Sequence, residues 1–134
     1  MSIFEWNPAW ETGNPLIDRQ HIQLFQQLER LYIAVAEGKD VGETEKALML
    51  LGEYVETHFR DEESLMWQSG YGDIVHHKEI HDDLRKQVNG LIAAFLNDLQ
   101  PIPAAVMDFL VTWLKNHLAG EDQILAKHLR KCSK

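Results

Sequence analysis

Histidine and glutamate occupy positions where the helical spacing of this sequence otherwise places hydrophobic residues. The stretch HFRDE sets His58 four residues before Glu62, and HKEIH sets His77 four residues before His81. Residues i and i+4 lie one turn apart on the same face of an α-helix. A polar group buried there without a partner costs about 1–3 kcal/mol. These pairs therefore favour a fold in which packed helices bring their polar positions together, and they suit a shared metal ion.

Apolar residues recur at spacings of three and four through most of the chain, and no alternating strand pattern occurs. The spacing predicts four helices, over residues 18–37, 41–68, 73–97 and 103–130. Short loops join these segments, which favours an antiparallel up-down-up-down four-helix bundle of the all-α class. A length of 134 residues suits one domain over residues 1–134.

Capping residues predict where several of these helices begin or end. Asp18 is expected to be the N-cap of the first helix, and Gly38 is expected to end it. Asp40 or Thr44 is expected to open the second helix, and Pro103 is well placed in the first turn of the fourth. Each of these residue types satisfies or tolerates the free backbone groups of a helix end.

The first seventeen residues contain two prolines and do not continue the helical spacing. They predict an irregular N-terminal arm over residues 1–17. Three large side chains, Phe4, Trp6 and Trp10, would be costly to leave in water. We therefore expect the arm to pack against the bundle through them.

The charge and the apolar runs of the chain exclude several classes of function. A formal net charge of −8 makes nucleic-acid binding a poor expectation. The longest apolar runs are too short to cross a bilayer, and the start lacks the basic and apolar regions of a secretory signal. We expect a cytoplasmic protein that does not insert into membranes.

Five histidines on the apolar faces indicate more than one metal ion. They are His21, His58, His77, His81 and His117. One ion cannot easily bind five imidazoles together with carboxylates, whereas two ions can. Structural zinc sites are filled by four ligands, calcium and magnesium take oxygen ligands, and ferritin-like di-iron sites use Glu-x-x-His pairs that these helices lack. Nitrogen-rich coordination favours iron, with manganese, cobalt or zinc as weaker candidates.

The chain resembles the hemerythrin family, and within it the bacterial single-domain members. The resemblance rests on IDRQH, HFRDEE, HKEIH and WLKNHLAGED in that order, with a W-x-P-x-W arm and the stretch LMWQSGY. It covers essentially the whole chain and implies seven metal ligands. These are His21, His58, Glu62, His77, His81, His117 and Asp122. The departures, Gly72 where the family often has proline and Ile22 where a basic residue is common, touch no ligand.

The resemblance implies reversible dioxygen binding at a non-heme di-iron centre. Glu62, Asp122 and a hydroxide or oxo group would bridge the two irons, which change between Fe2+ and Fe3+. The implied division is His77, His81 and His117 on a six-coordinate iron, and His21 and His58 on a five-coordinate one. Dioxygen would take the open position. The expected role is oxygen storage, transport or delivery by a monomer, to an oxygen-consuming partner protein, rather than enzyme catalysis.

Five apolar residues beside the ligands are expected to wall the oxygen pocket. They are Leu24, Phe59, Trp113, Leu114 and Leu118. Reversible binding requires a dry pocket, and these residues would exclude water from it. The same positions equally suit ordinary core packing, so both interpretations stay open.

The last ligand pair departs from regular helical spacing. His117 and Asp122 within HLAGED are five residues apart, and five residues turn an α-helix by about 140° away from one face. A π-bulge with i→i+5 hydrogen bonds would bring them together. Gly120 lies between them, where its backbone freedom makes a distortion less costly. If both are ligands, the sequence predicts a widened turn over residues 117–122.

The same set of ligands is compatible with other functions, and several further polar residues are expected to have no function at the site. An oxygen or redox sensor module would use the same site, as would a di-iron oxidase, a peroxidase or a nitric oxide scavenging enzyme. An enzyme would also need a general acid or a substrate pocket beside the irons, and no residue in the sequence is convincing for either. Six polar residues are expected to lie on solvated faces or at helix ends. They are Glu63, His76, Asp82, Asp83, Glu121 and His128.

Overall fold

The computed structural model describes residues 5–98 and 102–132, and these residues form a four-helix bundle. A 3-10 turn over Pro8–Trp10 precedes the helices, and no strand occurs within the described ranges. The helices are α1 (Pro15–Ala36), α2 (Val41–Gln68), α3 (Ile74–Asp98), α4 (Ala104–Ala119) and α5 (Glu121–Cys132). Helix α1 packs on α2 and α4, and α2 packs on α3. The up-down-up-down bundle predicted from the sequence is confirmed, with α4 and α5 together forming the fourth segment.

The first helix begins earlier than predicted because Asn14, not Asp18, is its N-cap. The Asn14 side chain accepts hydrogen bonds from the backbone N–H groups of Leu16 and Ile17 at 3.0 and 3.1 Å. Pro15 then occupies the first helical position, where its missing N–H has no cost. The Asp18 carboxylate instead accepts hydrogen bonds from the N–H and the hydroxyl of Thr12, both at 2.8 Å. The predicted cap is therefore wrong, and Asp18 fastens the arm to α1.

The other predicted helix ends lie close to the observed ones. Helix α2 has the predicted range, and the Asp40 carboxylate caps it by accepting from the N–H of Glu43 at 2.9 Å. Gly38 follows α1 with φ of +64°, the left-handed conformation that ends many helices. Helix α3 is displaced by one residue at each end. Pro103 precedes α4 as its N-cap instead of lying in its first turn.

The predicted fourth helix is two helices, because Gly120 interrupts it. Its backbone has φ of −107° and ψ of −92°, which is not helical. Its N–H still donates to the oxygen of Asn116 at 2.9 Å, and its own oxygen accepts from Gln123 and Ile124 at 3.0 and 3.2 Å. These are i→i+3 and i→i+4 bonds, so the predicted π-bulge is wrong in form. A Cβ at position 120 would lie 3.0 Å from the Asn116 oxygen, which explains the need for glycine.

The N-terminal arm packs on the bundle through its tryptophans. The Trp6 and Trp10 ring centroids are 5.2 Å apart, and they lie 6.2 and 5.5 Å from the ring of Phe25 in α1. Gln123 in α5 also donates a hydrogen bond to the Trp10 oxygen at 3.0 Å. The predicted packing is confirmed for Trp6 and Trp10, whereas Phe4 lies outside the described residues.

Two apolar clusters separate the bundle interior into a large and a small core. The large cluster includes Phe59 and Leu118, and the small one includes Met66 and Leu125. Along α2, Glu62 lies between Phe59 of the large cluster and Met66 of the small one, so apolar side chains pack on both sides of it. No helix within the described ranges is long and apolar enough to cross a membrane.

Candidate metal centre

All seven residues predicted as ligands come together in the interior of the bundle. Helix α1 supplies one of them, α2 and α3 supply two each, and α4 and α5 supply one each. Each side chain is at most 3% exposed. The residues are His21, His58, Glu62, His77, His81, His117 and Asp122. A core that buries this many polar groups requires a common partner for them.

The ligand atoms fall into two groups that share both carboxylates. One group contains three histidines with Glu62 and Asp122, and the other contains two histidines with the same two carboxylates. We call the first the three-histidine group (His77, His81, His117) and the second the two-histidine group (His21, His58). This division is the one that the sequence resemblance implies.

The two oxygens of Glu62 point to different groups. Its Oε1 lies 2.9 Å from Nε2 of His77 and 3.2 Å from Nε2 of His81. Its Oε2 lies 3.2 Å from Nε2 of His58 and 3.5 Å from Nε2 of His21. A carboxylate in this position can bridge two metal ions.

Asp122 has the same arrangement on the opposite side of the site. Its Oδ1 lies 3.1 Å from Nε2 of His117 and 3.2 Å from Nε2 of His77. Its Oδ2 lies 3.1 Å from Nε2 of His21. The break at Gly120 therefore brings His117 and Asp122 together, as the predicted bulge would have done.

The spacing of the donor atoms suits metal coordination better than hydrogen bonding between the side chains. Both oxygens of Glu62 and of Asp122, and Nε2 of His21, His58 and His77, are buried without a hydrogen-bond partner among the described residues. Neighbouring ligands of an octahedral ion at 2.1 Å are about 3 Å apart, and the separations here run from 2.9 to 3.5 Å. Buried polar atoms that converge at this spacing are the arrangement that a metal ion would satisfy.

Without metal, protons would supply the positive charge of the site. Burial opposes the charged imidazolium, but contacts with Asp122 and Glu62 outweigh it and raise the pKa of His21 and His77 to about 9. The same balance raises the pKa of His117 to about 10. Burial favours the neutral carboxyl of Glu62, yet the adjacent imidazoles hold its pKa well below the usual range. A metal ion would therefore have to displace protons in order to bind.

Hydrogen bonds outside the site orient two of the imidazoles. The Nδ1–H of His58 donates to Oε1 of Gln20 at 2.9 Å, and the Nδ1–H of His81 donates to Oε2 of Glu63 at 2.9 Å. A proton held on Nδ1 leaves the Nε2 lone pair of each ring facing the site. Arg85 binds both oxygens of Glu63, at 2.7 and 3.0 Å.

Sequence reasoning missed these supporting contacts. Glu63 was expected on a solvated face, but it is 16% exposed and bound to a candidate ligand, so that expectation is wrong. Glu121 also lies beside the site, with its Oε2 3.7 Å from Nδ1 of His117. The signal in the sequence is weak. Gln20 precedes the ligand His21 and Glu63 follows the ligand Glu62, but neither position indicates which imidazole the side chain binds.

Other polar residues differ in their surroundings. His76 and Asp83 are exposed, as expected, whereas the carboxylate of half-buried Asp82 accepts a hydrogen bond from Nη1 of Arg85 at 2.8 Å. His128 is half-buried, and its Nε2 lies 3.0 Å from the backbone oxygen of Ser69. It is too far along α5 to join either metal group.

The five residues predicted to wall an oxygen pocket have three different environments. Leu24, Trp113 and Leu114 line an apolar cavity of about 20 Å³ in the bundle core. Phe59 stacks on the ring of His81, with centroids 3.8 Å apart and planes 4° from parallel. Leu118 is fully buried in the large apolar cluster. Trp113 also stacks on His117 at 4.6 Å, so it touches both the cavity and the site.

A four-helix bundle whose interior holds two histidine groups joined by shared carboxylates defines a class of candidate two-metal proteins. The chain matches the Hemerythrin HHE cation binding domain family over residues 12–129. It therefore belongs to the hemerythrin family.

Known proteins similar to this chain span nearly its whole length. The bacteriohemerythrin of Clostridium acetobutylicum is 30% identical over 125 residues, which cover 90% of this chain and 97% of that protein. The myohemerythrin of Theromyzon tessulatum is 29% identical and covers 89% of this chain and 88% of its own length. A crystal structure of wild-type hemerythrin aligns with a TM-score of 0.86 at 30% identity, over 93% of this chain and 96% of that one.

Proposed function

We propose that this chain binds dioxygen reversibly at a non-heme di-iron centre, and thereby stores, carries or delivers oxygen. The observation that carries the proposal is the unequal division of donors around two shared carboxylates. The three-histidine group offers five residues to one ion, and the two-histidine group offers four to the other. Among the described side chains the second ion thus has one donor fewer than the first, which leaves room on it for a small ligand.

Iron suits this donor set and this function. Imidazole nitrogen outnumbers carboxylate here, which favours iron over calcium or magnesium. When bound, two ferrous ions would supply the two electrons that reversible dioxygen binding requires. The membership of the hemerythrin family supports the same choice.

The surrounding residues would keep water away from the centre. Every candidate ligand is at most 3% exposed, and Trp113, which stacks on His117 at 4.6 Å, lines an apolar cavity together with Leu114. Water or protons that reach reduced oxygen would release it and leave the ferric form. A dry and apolar surrounding therefore favours reversible binding.

The apolar cavity lined by Trp113, which stacks on His117, also favours a carrier over an enzyme. An oxidase or peroxidase requires a group that delivers protons to the reacting oxygen. The cavity that Leu24, Trp113 and Leu114 share with their neighbours is lined by apolar side chains and the indole ring alone within the described part of the chain. We therefore propose binding without catalysis.

Anaerobic loading followed by cycles of oxygenation tests this function. The purified protein should bind two Fe2+ per chain, and its visible absorption should change with oxygen and return when oxygen is removed. His77→Ala should abolish the cycle, whereas His76→Ala, at the adjacent exposed histidine, should leave it intact. Rapid formation of a ferric product with turnover of added reductant would instead indicate an oxidase. Fewer than two irons per chain would defeat the di-iron proposal.

A further inference from the structure

We infer that the two metal positions fill in order, the three-histidine position first, and that Glu63 and Arg85 help to set this order by positioning His81. The inference rests on the proposed two-metal centre and adds to it a difference between the positions. It assigns a function to Glu63 and Arg85, neither of which is a candidate metal ligand. Both act through the imidazole of His81.

A fixed carboxylate supports His81. Glu63 accepts the Nδ1–H of His81 at 2.9 Å, and Arg85 grips that carboxylate with Nη1 at 2.7 Å and Nη2 at 3.0 Å. Arg85 is itself held by Glu56 at 3.1 Å and Asp82 at 2.8 Å. A carboxylate partner makes an imidazole a stronger donor to metal and fixes its ring.

The two-histidine position has weaker support. His58 donates its Nδ1–H to the neutral amide oxygen of Gln20, and the amide nitrogen of Gln20 donates to Asp61 at 2.7 Å. The second bond fixes the amide with its oxygen toward His58. Nδ1 of His21 is buried with no hydrogen-bond partner among the described residues, as is Nδ1 of His117 in the other group, so the contrast lies between His58 and His81. Among the residues that the structure describes, no carboxylate outside the site therefore bonds to either imidazole.

Ring packing adds to the difference. His81 lies flat against Phe59 at 3.8 Å, with the guanidinium of Arg85 5.4 Å from the same Phe59 ring, and His117 stacks on Trp113 at 4.6 Å. His21 and His58 instead meet edge to face at 4.5 Å. Two of three imidazoles in the first group are thus held flat by aromatic neighbours before metal binds, which lowers the entropy cost of ligation.

The number of donors acts in the same direction. The first ion can use three imidazoles and one oxygen from each of Glu62 and Asp122. The second ion then enters with two imidazoles and the remaining oxygens of carboxylates that already carry a neighbouring cation. Repulsion between the ions weakens this second step. Donor number and imidazole support favour the three-histidine position, and repulsion between the ions separates the two binding steps.

Anaerobic titration with Co2+, followed by calorimetry and visible absorption, tests the order. The wild-type chain should bind two ions in two resolved steps. His58→Ala should keep the tight step and lose the weak one, and His117→Ala should lose the tight step. If His58→Ala removed the tight step instead, the inferred order would be overturned.

Glu63→Gln tests the positioning function because it gives His81 the same kind of amide partner that His58 has. The affinity of the first step should fall by about 10–100-fold, as removal of an outer hydrogen-bond partner typically does, while the second step stays unchanged. Arg85→Lys keeps the charge but loses the two-bond grip on Glu63, and it should weaken the same step by less. Glu79→Gln removes an equal charge from an exposed position between His77 and His81, and it should change neither step.

Failure of this inference is distinct from failure of the proposed function. Two ions bound in one unresolved step, or a loss shared equally by both steps in Glu63→Gln, would overturn the order while the two-metal centre stood. Binding of a single ion to the wild-type chain would overturn the two-metal centre and the order with it. Helicity measured by circular dichroism must match between variants, and Arg85→Lys supplies the test if Glu63→Gln does not fold.

Discussion

At the scale of single residues, Leu114 lines the apolar cavity and lies three residues before the candidate ligand His117. It lies one turn before His117, is 4% exposed and lines the cavity of about 20 Å³. Its side chain therefore contributes both to core packing and to the proposed exclusion of water. The two contributions can be separated by comparing a substitution that enlarges the cavity with a substitution of equal size elsewhere in the core.

Leu114→Ala should make autoxidation of the oxygenated, iron-loaded protein several-fold faster, because the larger cavity admits water and protons. It should also lower the free energy of unfolding by about 2–5 kcal/mol. Leu48→Ala removes the same volume from the core ten residues before His58, about 15 Å along α2. It should have a similar effect on unfolding and no effect on autoxidation. Equal autoxidation rates in the two variants would contradict a pocket function for Leu114.

At the scale of secondary structure, the break between α4 and α5 positions Asp122. Gly120 ends one helix and begins the next, and the two residues on its C-terminal side, Glu121 and Asp122, both face His117. A continuous helix would turn Asp122 about 140° from His117. One glycine thus decides whether the second bridging carboxylate reaches the site.

Gly120→Ala should lower the free energy of unfolding by about 1–2 kcal/mol, since the new Cβ meets the Asn116 oxygen at 3.0 Å. Relief of that contact should move Asp122, so metal binding should weaken as well. Gly90→Ala provides the control, because Gly90 lies inside α3 and no atom lies within 4 Å of its added Cβ. It should stabilise the chain by about 0.5–1 kcal/mol with metal binding unchanged. Tight metal binding by Gly120→Ala would show that the break is not required.

At the scale of the whole molecule, the buried site makes both the stability of the metal-free fold and its affinity for metal depend on pH, in opposite directions. The pKa of His21 and His77 is raised to about 9 and that of His117 to about 10 in the metal-free fold. The unfolded chain titrates these groups near 6.5. At a pH between 6.5 and these raised pKa values, the folded chain therefore binds more protons than the unfolded chain does.

The free energy of unfolding of the metal-free protein should therefore fall as pH rises from about 6.5 through 9 to 10. Urea denaturation after treatment with a chelator, at several pH values across this interval, measures the slope. His77→Gln should flatten the slope, and His76→Gln at the exposed neighbour should not. Metal affinity should increase over the same interval, since imidazoles must lose their protons to bind metal. A metal-free protein whose stability is constant or increases with pH would contradict this coupling.

The sequence by itself determined the helical class, the range of α2 and the residues that can serve as metal donors. Spacings of three and four are a local property of one helix, and the histidines on an apolar face identify themselves because burial without a partner is unfavourable. The predicted N-cap of α1, Asp18, was wrong, because Asn14 before Pro15 is also of capping type and caps the helix instead. Only the geometry of the arm showed that Asp18 binds Thr12 instead.

Only the tertiary structure decided which groups act on the candidate ligands from outside and how the fourth segment turns. Glu63 is 18 residues from His81 and Gln20 is 38 residues from His58, and such pairs meet only when separate helices pack. The sequence required some distortion between His117 and Asp122, but a bulge and a break at Gly120 satisfy the same spacing. The spacing alone does not choose between them, because helical periodicity describes the directions of side chains along a helix and carries no distances between helices.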